Sequence, residues 1–182
     1  MQDASPLPPF AAIVVAAGKG LRAGQPLPKQ FVPWRGKPVL RHSIETLIAA
    51  GANPLVIAIP ENGEQAAREA LEGLGGYELI VGGDTRQESV FRGLQAIGTA
   101  DRVLIHDAAR PDLPVDVIHR LLAALDDAPG AIPVLPVVDS LSVDKDGMMN
   151  GTAEREKLRR AQTPQAFGYR AILEAHMAWQ GA

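Results

Sequence analysis

Short, continuous apolar runs alternate with longer stretches of helical periodicity along this chain, and this alternation constrains the fold more than any other feature. The apolar runs are rich in Val and Ile, as expected for strands covered on both faces, and they span residues 10–17, 54–59, 77–81, 102–105 and 131–137. Between them, apolar residues three and four positions apart predict helices over residues 39–50, 63–74, 88–97 and 115–125. The pattern predicts an α/β fold with a mostly parallel central sheet.

The bulk properties narrow the class of protein. A length of 182 residues suits one well-buried core, so we expect residues 10–182 to form a single domain. Residues 1–9 contain three prolines and no basic residue, which predicts a flexible tail rather than a secretory signal. A net charge of −3 gives no electrostatic case for a nucleic-acid partner, and no run approaches the roughly 20 apolar residues needed to cross a membrane. With no cysteine for disulfides or thiolate catalysis, we expect a cytoplasmic protein that acts on small molecules.

Residues 138–160 break the α/β alternation. Turn signals such as Asp146-Gly147 and Asn150-Gly151 surround short segments here, which predicts a β-ribbon arm that leaves the sheet. A two-stranded ribbon is marginally stable on its own. We therefore expect the arm to pack against a second subunit and to form a homodimer.

A glycine-rich basic loop, residues 16–30, follows the first apolar run. It contains three glycines and three basic residues: Gly18, Gly20, Gly24, Lys19, Arg22 and Lys29. Such a loop can turn its backbone N–H groups and its cations toward a polyphosphate. The glycine spacing does not match a P-loop, and the glycine and two prolines between residues 24 and 28 prevent the helix that a dinucleotide fingerprint requires. A surface loop with incidental basic residues is the alternative.

Two further polar loops, residues 82–89 and 106–111, follow predicted strands. In a parallel sheet, all three loops would meet at one crevice at the carboxyl ends of the strands. Asp107 could hold a divalent cation between protein and phosphates, or it could cap the following turn. Arg86 and Arg110 could bind phosphates, although one of them could equally pair with Asp84 or Glu88. We assign His106 to packing or to hydrogen bonding behind the site.

Four sequence blocks carry a resemblance to a known family. They are Ala16–Arg22 continued by Pro28–Gln30, Gly82–Val90, Val103–Pro111 and Gln162–Gln165. In order and spacing they resemble the signature blocks of the 2-C-methyl-D-erythritol 4-phosphate cytidylyltransferases, which belong to the sugar nucleotidyltransferase superfamily. The resemblance implies a Rossmann-like fold, a homodimer formed through the arm, Mg²⁺ as the divalent cation, and a function in the non-mevalonate isoprenoid pathway. The implied reaction converts CTP and methylerythritol 4-phosphate into 4-diphosphocytidyl-methylerythritol and pyrophosphate.

The resemblance also implies roles for individual residues. Arg22 and Lys29 would be catalytic, because they match the cations that stabilise the transition state. The nucleotide would be bound by Ala16, Ala17, Gly18 and Gly20 at the triphosphate, by Gly83, Asp84 and Ser89 at the cytosine, and by Asp107 and Ala108 near the ribose and Mg²⁺. The sugar phosphate would contact Arg110, Ser140, Arg155 and Thr163, the last two across the dimer. Ser140 departs from the threonine of many relatives but keeps a hydroxyl, and Arg155 could instead belong to a solvated charged strand.

Members of this family continue beyond the helix around residues 169–179 with a further strand that carries a second phosphate-binding lysine. The sequence ends at Ala182 before both features. We therefore expect a fragment, a truncated homologue or part of a longer fused protein. Two other functions remain open from the sequence: a cytidylyltransferase for another polyol phosphate such as ribitol 5-phosphate, and a CTP-binding remnant without activity.

Overall fold

A computed structural model describes residues 7–18 and 28–179 of the chain. Its centre is a six-stranded sheet whose strands, from one edge to the other, are β5 (Glu78–Val81), β4 (Leu55–Ile59), β1 (Ala11–Val15), β6 (Arg102–Asp107), β12 (Gln165–Gly168) and β7 (Gly130–Ala131). The first four are parallel, and β12 runs antiparallel to both of its neighbours. The mostly parallel α/β sheet predicted from the sequence is therefore confirmed.

Helices cover both faces of the sheet. One face packs against α1 (Val39–Ala49), α2 (Glu64–Ala70) and α4 (Val115–Ala124), and the other packs against α3 (Arg86–Ile97) and α5 (Tyr169–Ala178). Alternation along β1 explains this arrangement, since Ala12 and Val14 enter the first core and Ala11 and Ile13 the second. The helix predicted over residues 63–74 ends earlier, at Ala70, and the chain then turns through Gly73 at a φ of 78°.

The order of the parallel strands reverses between β1 and β6. β1 is bonded to β4 on one side and to β6 on the other, with Val15 beside Asp107 in the ladder. Ligands of open α/β sheets bind outside the carboxyl ends of strands at such a reversal. The fold therefore places the loop after β1 next to the loop after β6.

The single strand predicted over residues 131–137 is wrong. The run divides after β7, and β8 (Val134–Pro136) pairs outside the sheet with β11 (Arg159–Ala161). Pro133, which lies between β7 and β8, explains the division, because proline has no N–H to donate within a central strand. The ribbon arm begins before residue 138, where the sequence placed its start. β8 and β11 form its base, and a hairpin of β9 (Ser142–Lys145) and β10 (Met148–Thr152) forms its tip.

Two smaller features complete the described chain. Strands β2 (Pro33–Trp34) and β3 (Lys37–Pro38) form a short hairpin before α1, and 3₁₀ helices occupy Lys29–Phe31 and Arg155–Lys157. Of the helices in residues 7–18 and 28–179, none has the length and the apolar composition that a membrane crossing requires.

Candidate active site

The structure brings the three polar loops together at the carboxyl edge of the sheet. The N–H of Ala108 donates to the carbonyl of Val15 at 3.0 Å, which joins the loops after β6 and β1. The loop after β5 approaches from the other side at Gly82. A Cβ on Gly82 would lie 2.4 Å from the Cβ of Ala17 and 2.8 Å from Ser89 Oγ, so a larger residue at this position would force these loops apart.

Gln30, for which the sequence alone predicts no role, joins the two described ends of the basic loop. Its side chain is only 3% exposed, and Nε2 donates to the carbonyl oxygens of Ala16 at 2.6 Å and Gly18 at 3.1 Å. Lys29 is its neighbour in the 3₁₀ helix and is exposed. The structure thus holds Lys29 beside the end of β1. Gly20 and Arg22, which the sequence assigns to the same site, lie outside the described residues.

The loop after β5 is ordered by the first turn of α3. Ser89 is 1% exposed, and its hydroxyl donates to the Thr85 carbonyl at 2.9 Å and accepts from the N–H of Gly83 at 3.0 Å. Thr85 caps the helix by accepting from the N–H of Glu88, whose carboxylate accepts from the N–H of Asp84 at 3.0 Å. That backbone hydrogen bond, with Arg92 nearby, lowers the pKa of Glu88. The residues predicted to read the base therefore lie in a preordered turn, with the hydroxyl of Ser89 bonded to the backbone of that turn.

Asp107 ends β6 between two arginines. Its Oδ1 lies 2.8 Å from Arg86 Nε and its Oδ2 lies 3.8 Å from Arg110 Nε, and the side chain keeps 31% exposure. Arg86 also donates from Nη2 to Gln165 Oε1 at 3.2 Å. Arg86 therefore pairs with Asp107, a partner that the sequence did not indicate, while Glu88 pairs with Arg92.

His106 is fully buried behind the site and is hydrogen-bonded to two segments of it. Its Nε2 lies 2.9 Å from the carbonyl oxygen of Arg110, and its Nδ1 lies 3.2 Å from Thr163 Oγ1, which accepts from the N–H of Asp107 at 3.3 Å. Burial lowers the pKa of His106 to about 4, so the ring is neutral at pH 7. Because a carbonyl can only accept, the proton is assigned to Nε2 and Nδ1 accepts from Thr163.

Ser140 and Arg155, predicted to contact the sugar phosphate, lie on the arm and are exposed. Arg155 Nε is 3.7 Å from Glu156 Oε1, a contact within the arm. Beside it is a cavity of about 560 Å³ lined by Pro136, Val137, Val138, Arg155, Glu156 and Arg159. Arg110 and Thr163, in contrast, lie at the Asp107 cluster, where Arg110 Nη1 donates to Gln162 Oε1.

The single carboxylate of Asp107 fits a divalent cation that is held mainly by the phosphates of a bound nucleotide. Among the described residues, no three His, Cys, Asp or Glu side chains cluster as a metal site. Mg²⁺ commonly takes one or two carboxylates and completes its shell with phosphate oxygens and water. Asp107 can supply that one carboxylate where a triphosphate lies along the neighbouring β1 loop.

The chain is similar to a family of known proteins. Residues 10–182 match the model of the family described as "IspD: 2-C-methyl-D-erythritol 4-phosphate cytidylyltransferase". A bifunctional IspD/IspF enzyme of Erythrobacter litoralis is 59% identical over 184 residues, covering 100% of this chain and 48% of the relative. A 2-C-methyl-D-erythritol 4-phosphate cytidylyltransferase of Cereibacter sphaeroides is 48% identical over 175 residues, covering 94% of this chain and 78% of the relative.

The fold agrees with that of a solved structure. The crystal structure of 2-C-methyl-D-erythritol 4-phosphate cytidylyltransferase from Thermus thermophilus superposes with a TM-score of 0.75 at 32% identity, and the match covers 92% of this chain and 75% of that one. The chain spans about half the length of the bifunctional relatives that it matches, at 48% and 45% of their sequences.

Proposed function

We propose that this chain, which belongs to the 2-C-methyl-D-erythritol 4-phosphate cytidylyltransferase family, transfers the cytidylyl group of CTP to 2-C-methyl-D-erythritol 4-phosphate. The products are 4-diphosphocytidyl-2-C-methyl-D-erythritol and pyrophosphate. The observation that carries the proposal is the meeting of three loops at the reversal of strand order. There, Ala17 lies against Gly82, and Ala108 is bonded to Val15 beside the Asp107 carboxylate.

The chemistry requires cations and positioning rather than a base. A phosphate oxygen of the acceptor attacks the α-phosphorus of CTP in line. The bond from that phosphorus to the bridging oxygen breaks, and its electron pair leaves with pyrophosphate. The attacking phosphate is already anionic, so no group of the chain has to remove a proton. Catalysis then consists of holding the two phosphates in line and stabilising the charge that develops on the α-phosphoryl oxygens.

The proposed roles combine the family resemblance with the positions of the described residues. Lys29, held beside the end of β1, would place its ammonium at the α-phosphoryl oxygens, with Arg22 as the second cation. Gly83 and Asp84 would present their backbone carbonyl groups to the cytosine, because their N–H groups are already bonded to Ser89 and Glu88 within the turn. Arg110 and Thr163, at the end of β6, would bind the acceptor's phosphate. Each preorganised cation could contribute roughly 3 to 4 kcal/mol of transition-state stabilisation.

Asp107 would hold a divalent cation, which we propose to be Mg²⁺. When bound, the ion would neutralise charge on the triphosphate of CTP. The carboxylate is bonded to Arg86 in this structure. Arg86 would therefore give up part of this contact when the nucleotide and its cation enter.

The arm is proposed to form a homodimer with a second copy of this chain. Its exposed apolar side chains form a set that water would otherwise cover: Val134, Leu135, Val138, Leu141, Val143, Met148, Met149 and Leu158. Burial of such a set favours association. In the dimer, Ser140 and Arg155 would reach the acceptor's phosphate. A cytoplasmic location remains an expectation from the sequence.

The proposal is tested by measuring pyrophosphate release from CTP and methylerythritol 4-phosphate with and without Mg²⁺. Turnover that depends on all three components is expected. Absence of turnover, with CTP binding retained in calorimetry, would show a nucleotide-binding remnant instead. Faster turnover with ribitol 5-phosphate at the same CTP concentration would show that the acceptor is a different polyol phosphate.

A further inference from the structure

Gln30 makes two hydrogen bonds that span the basic loop. Its Nε2 donates to the carbonyl oxygens of Ala16, at 2.6 Å, and Gly18, at 3.1 Å, across separations of 14 and 12 residues. Both partners can only accept, so the NH₂ group of the carboxamide must face them, and each of its two hydrogens has one acceptor. The residue is 3% exposed, so its bond to Ala16 is shielded from water, whereas the bond to Gly18 lies nearer the surface.

The hydrogen bonds of Gln30 begin at Ala16, where the hydrogen bonds of the sheet end. The N–H of Ala16 still donates to Ala58 of β4 at 2.8 Å, whereas its carbonyl oxygen is bound by Gln30. A peptide group is planar and trans, so the N–H of Ala17 points opposite to the carbonyl of Ala16. Gln30 therefore directs the N–H of Ala17 away from itself and fixes its direction at the start of the loop.

The same residue fixes the other end of the loop, at Lys29. Phe31, on the far side of Gln30, is buried in the core beneath α1, and its N–H donates to the Pro28 carbonyl at 2.9 Å. Lys29 thus stands between Pro28, whose ring restricts φ, and the two buried residues Gln30 and Phe31. Its backbone cannot shift relative to Ala16 without breaking the bonds of Gln30.

We propose that Gln30 is a positioning residue, which sets the Lys29 ammonium and the Ala16–Gly18 backbone in one fixed relation for the triphosphate of CTP. It acts through these groups and does not touch the substrate. The inference rests on the proposed function, because it assigns Lys29 to the α-phosphoryl oxygens. It goes further by identifying the side chain that joins the two described ends of the basic loop.

The first test is Gln30→Met, which keeps the length of the side chain and removes both donors. Displacement of a reacting group by about 1 Å can cost on the order of 10²-fold in rate, so we expect kcat to fall about 10- to 100-fold. The KM for CTP should change less than kcat does. Gln65→Met is the matched control, because Gln65 is exposed on α2 and bonded to Glu69. Turnover by Gln30→Met equal to that of Gln65→Met would overturn the proposal.

A double-mutant cycle separates positioning from a general loss of structure. If Gln30 acts in part through Lys29, Gln30→Met should lower kcat by a smaller factor in a Lys29→Ala background than in the wild type, because one of the two groups that it positions is already gone. Equal fold-changes in the two backgrounds would overturn the proposal. An inactive wild-type chain would instead overturn the proposed function itself, so the two failures are distinguishable.

A measurement on the wild-type chain covers the case in which Gln30→Met does not fold. The side-chain NH₂ hydrogens of Gln30 should exchange with solvent at least about 10-fold more slowly than those of Gln65, as followed by NMR. They should remain slow when Mg²⁺ and CTP are added, because the two bonds exist before the nucleotide binds. Exchange as fast as that of Gln65 would overturn the proposal.

Discussion

Arg86 Nε lies 2.8 Å from Asp107 Oδ1, so the first turn of α3 is joined to the end of β6 across 21 residues of sequence. The two side chains keep 45% and 31% of their exposure, and an ion pair that is this open contributes at most about 1 kcal/mol to stability. Its importance lies in where it is made, since Arg86 occupies the carboxylate that we assign to the cation.

Replacement of Arg86 by alanine should therefore make the cation easier to bind. We expect the Mg²⁺ concentration at half-maximal turnover to fall by up to about fivefold, the ratio that 1 kcal/mol corresponds to. The free energy of unfolding should fall by less than about 1 kcal/mol. Arg68→Ala, which breaks an exposed pair with Glu64 on α2, is the control. An unchanged Mg²⁺ dependence in Arg86→Ala would contradict this account of Asp107.

The close approach of two loops at Gly82 predicts that one added methyl group will lower both stability and CTP affinity. In Gly82→Ala the new Cβ would lie 2.4 Å from the Cβ of Ala17, so one loop has to move. Overpacking of this kind costs about 1 to 3 kcal/mol of unfolding free energy, measured by urea titration, and we expect weaker CTP binding in calorimetry.

Gly75→Ala provides the matched control for that substitution. No atom lies within 4 Å of the Cβ position at Gly75, and its φ is not in the left-handed region. Its stability should stay the same or rise by a few tenths of a kcal/mol, because alanine restricts the unfolded chain. A Gly82→Ala protein as stable as Gly75→Ala, and with unchanged CTP affinity, would show that the contact with Ala17 is unimportant.

His106 predicts a loss of stability in mild acid. Its pKa is about 4 in the folded chain, below the ordinary value of 6.5, so the unfolded chain binds the proton more readily. The stability is fully present above about pH 6.5 and decreases as the pH falls toward 4, with a slope of at most about 1.4 kcal/mol per pH unit. Urea titrations at several pH values measure this slope.

Removal of the titrating group should flatten the curve. His106→Gln offers a donor of similar reach but binds no proton near neutral pH, so its unfolding free energy should vary less over the pH range in which the wild-type protein loses stability. His119→Gln, on α4, is the control and should retain the wild-type slope. The same slope in both variants would assign the acid sensitivity to other groups.

The proposed dimer predicts that two inactive variants restore each other. Lys29→Ala should lower kcat by about 10²- to 10³-fold, and Arg155→Ala should also lower turnover if Arg155 serves the partner's site. In a mixed dimer, one site has both Lys29 from one chain and Arg155 from the other. Random mixing should therefore recover about a quarter of wild-type activity, since half of the dimers are mixed and each has one intact site.

A second mixture controls for that recovery. When Lys29→Ala is mixed with the double variant Lys29→Ala/Arg155→Ala, no site contains Lys29, and activity should stay at the Lys29→Ala level. Mixed dimers that form, as seen by light scattering and mass spectrometry, but recover no activity would contradict a role for Arg155 across the interface.

The sheet could be predicted from the sequence because its strands are buried on both faces. Runs such as Leu55–Ile59 are apolar at every position, which is the local pattern of a parallel strand between two helical layers. The run at 131–137 looks similar but is interrupted by Pro133, and its two parts pair with β12 and β11, which lie much further along the chain. Which strand a segment pairs with is a long-range property that its own composition does not encode.

The candidate site could be predicted as a set of loops but not as a set of contacts. Glycines and basic residues after strands indicated the loops around Gly18, Gly83 and Asp107. The buried carboxamide of Gln30 and the pair of Arg86 with Asp107 had no comparable signal, because an isolated polar residue carries no periodicity. From the sequence alone, a glutamine two residues after a proline, at the end of a glycine-rich loop, is predicted to be exposed.

The arm returns to the sheet through residues 162–164, between β11 and β12, and two of these residues are bonded to the end of β6. Gln162 accepts from Arg110, and Thr163 accepts from the N–H of Asp107. The arm therefore cannot be exchanged with the arm of a related protein without affecting the site. A grafted arm would bring its own return segment, and with it would change the surroundings of the carboxylate that we assign to the cation.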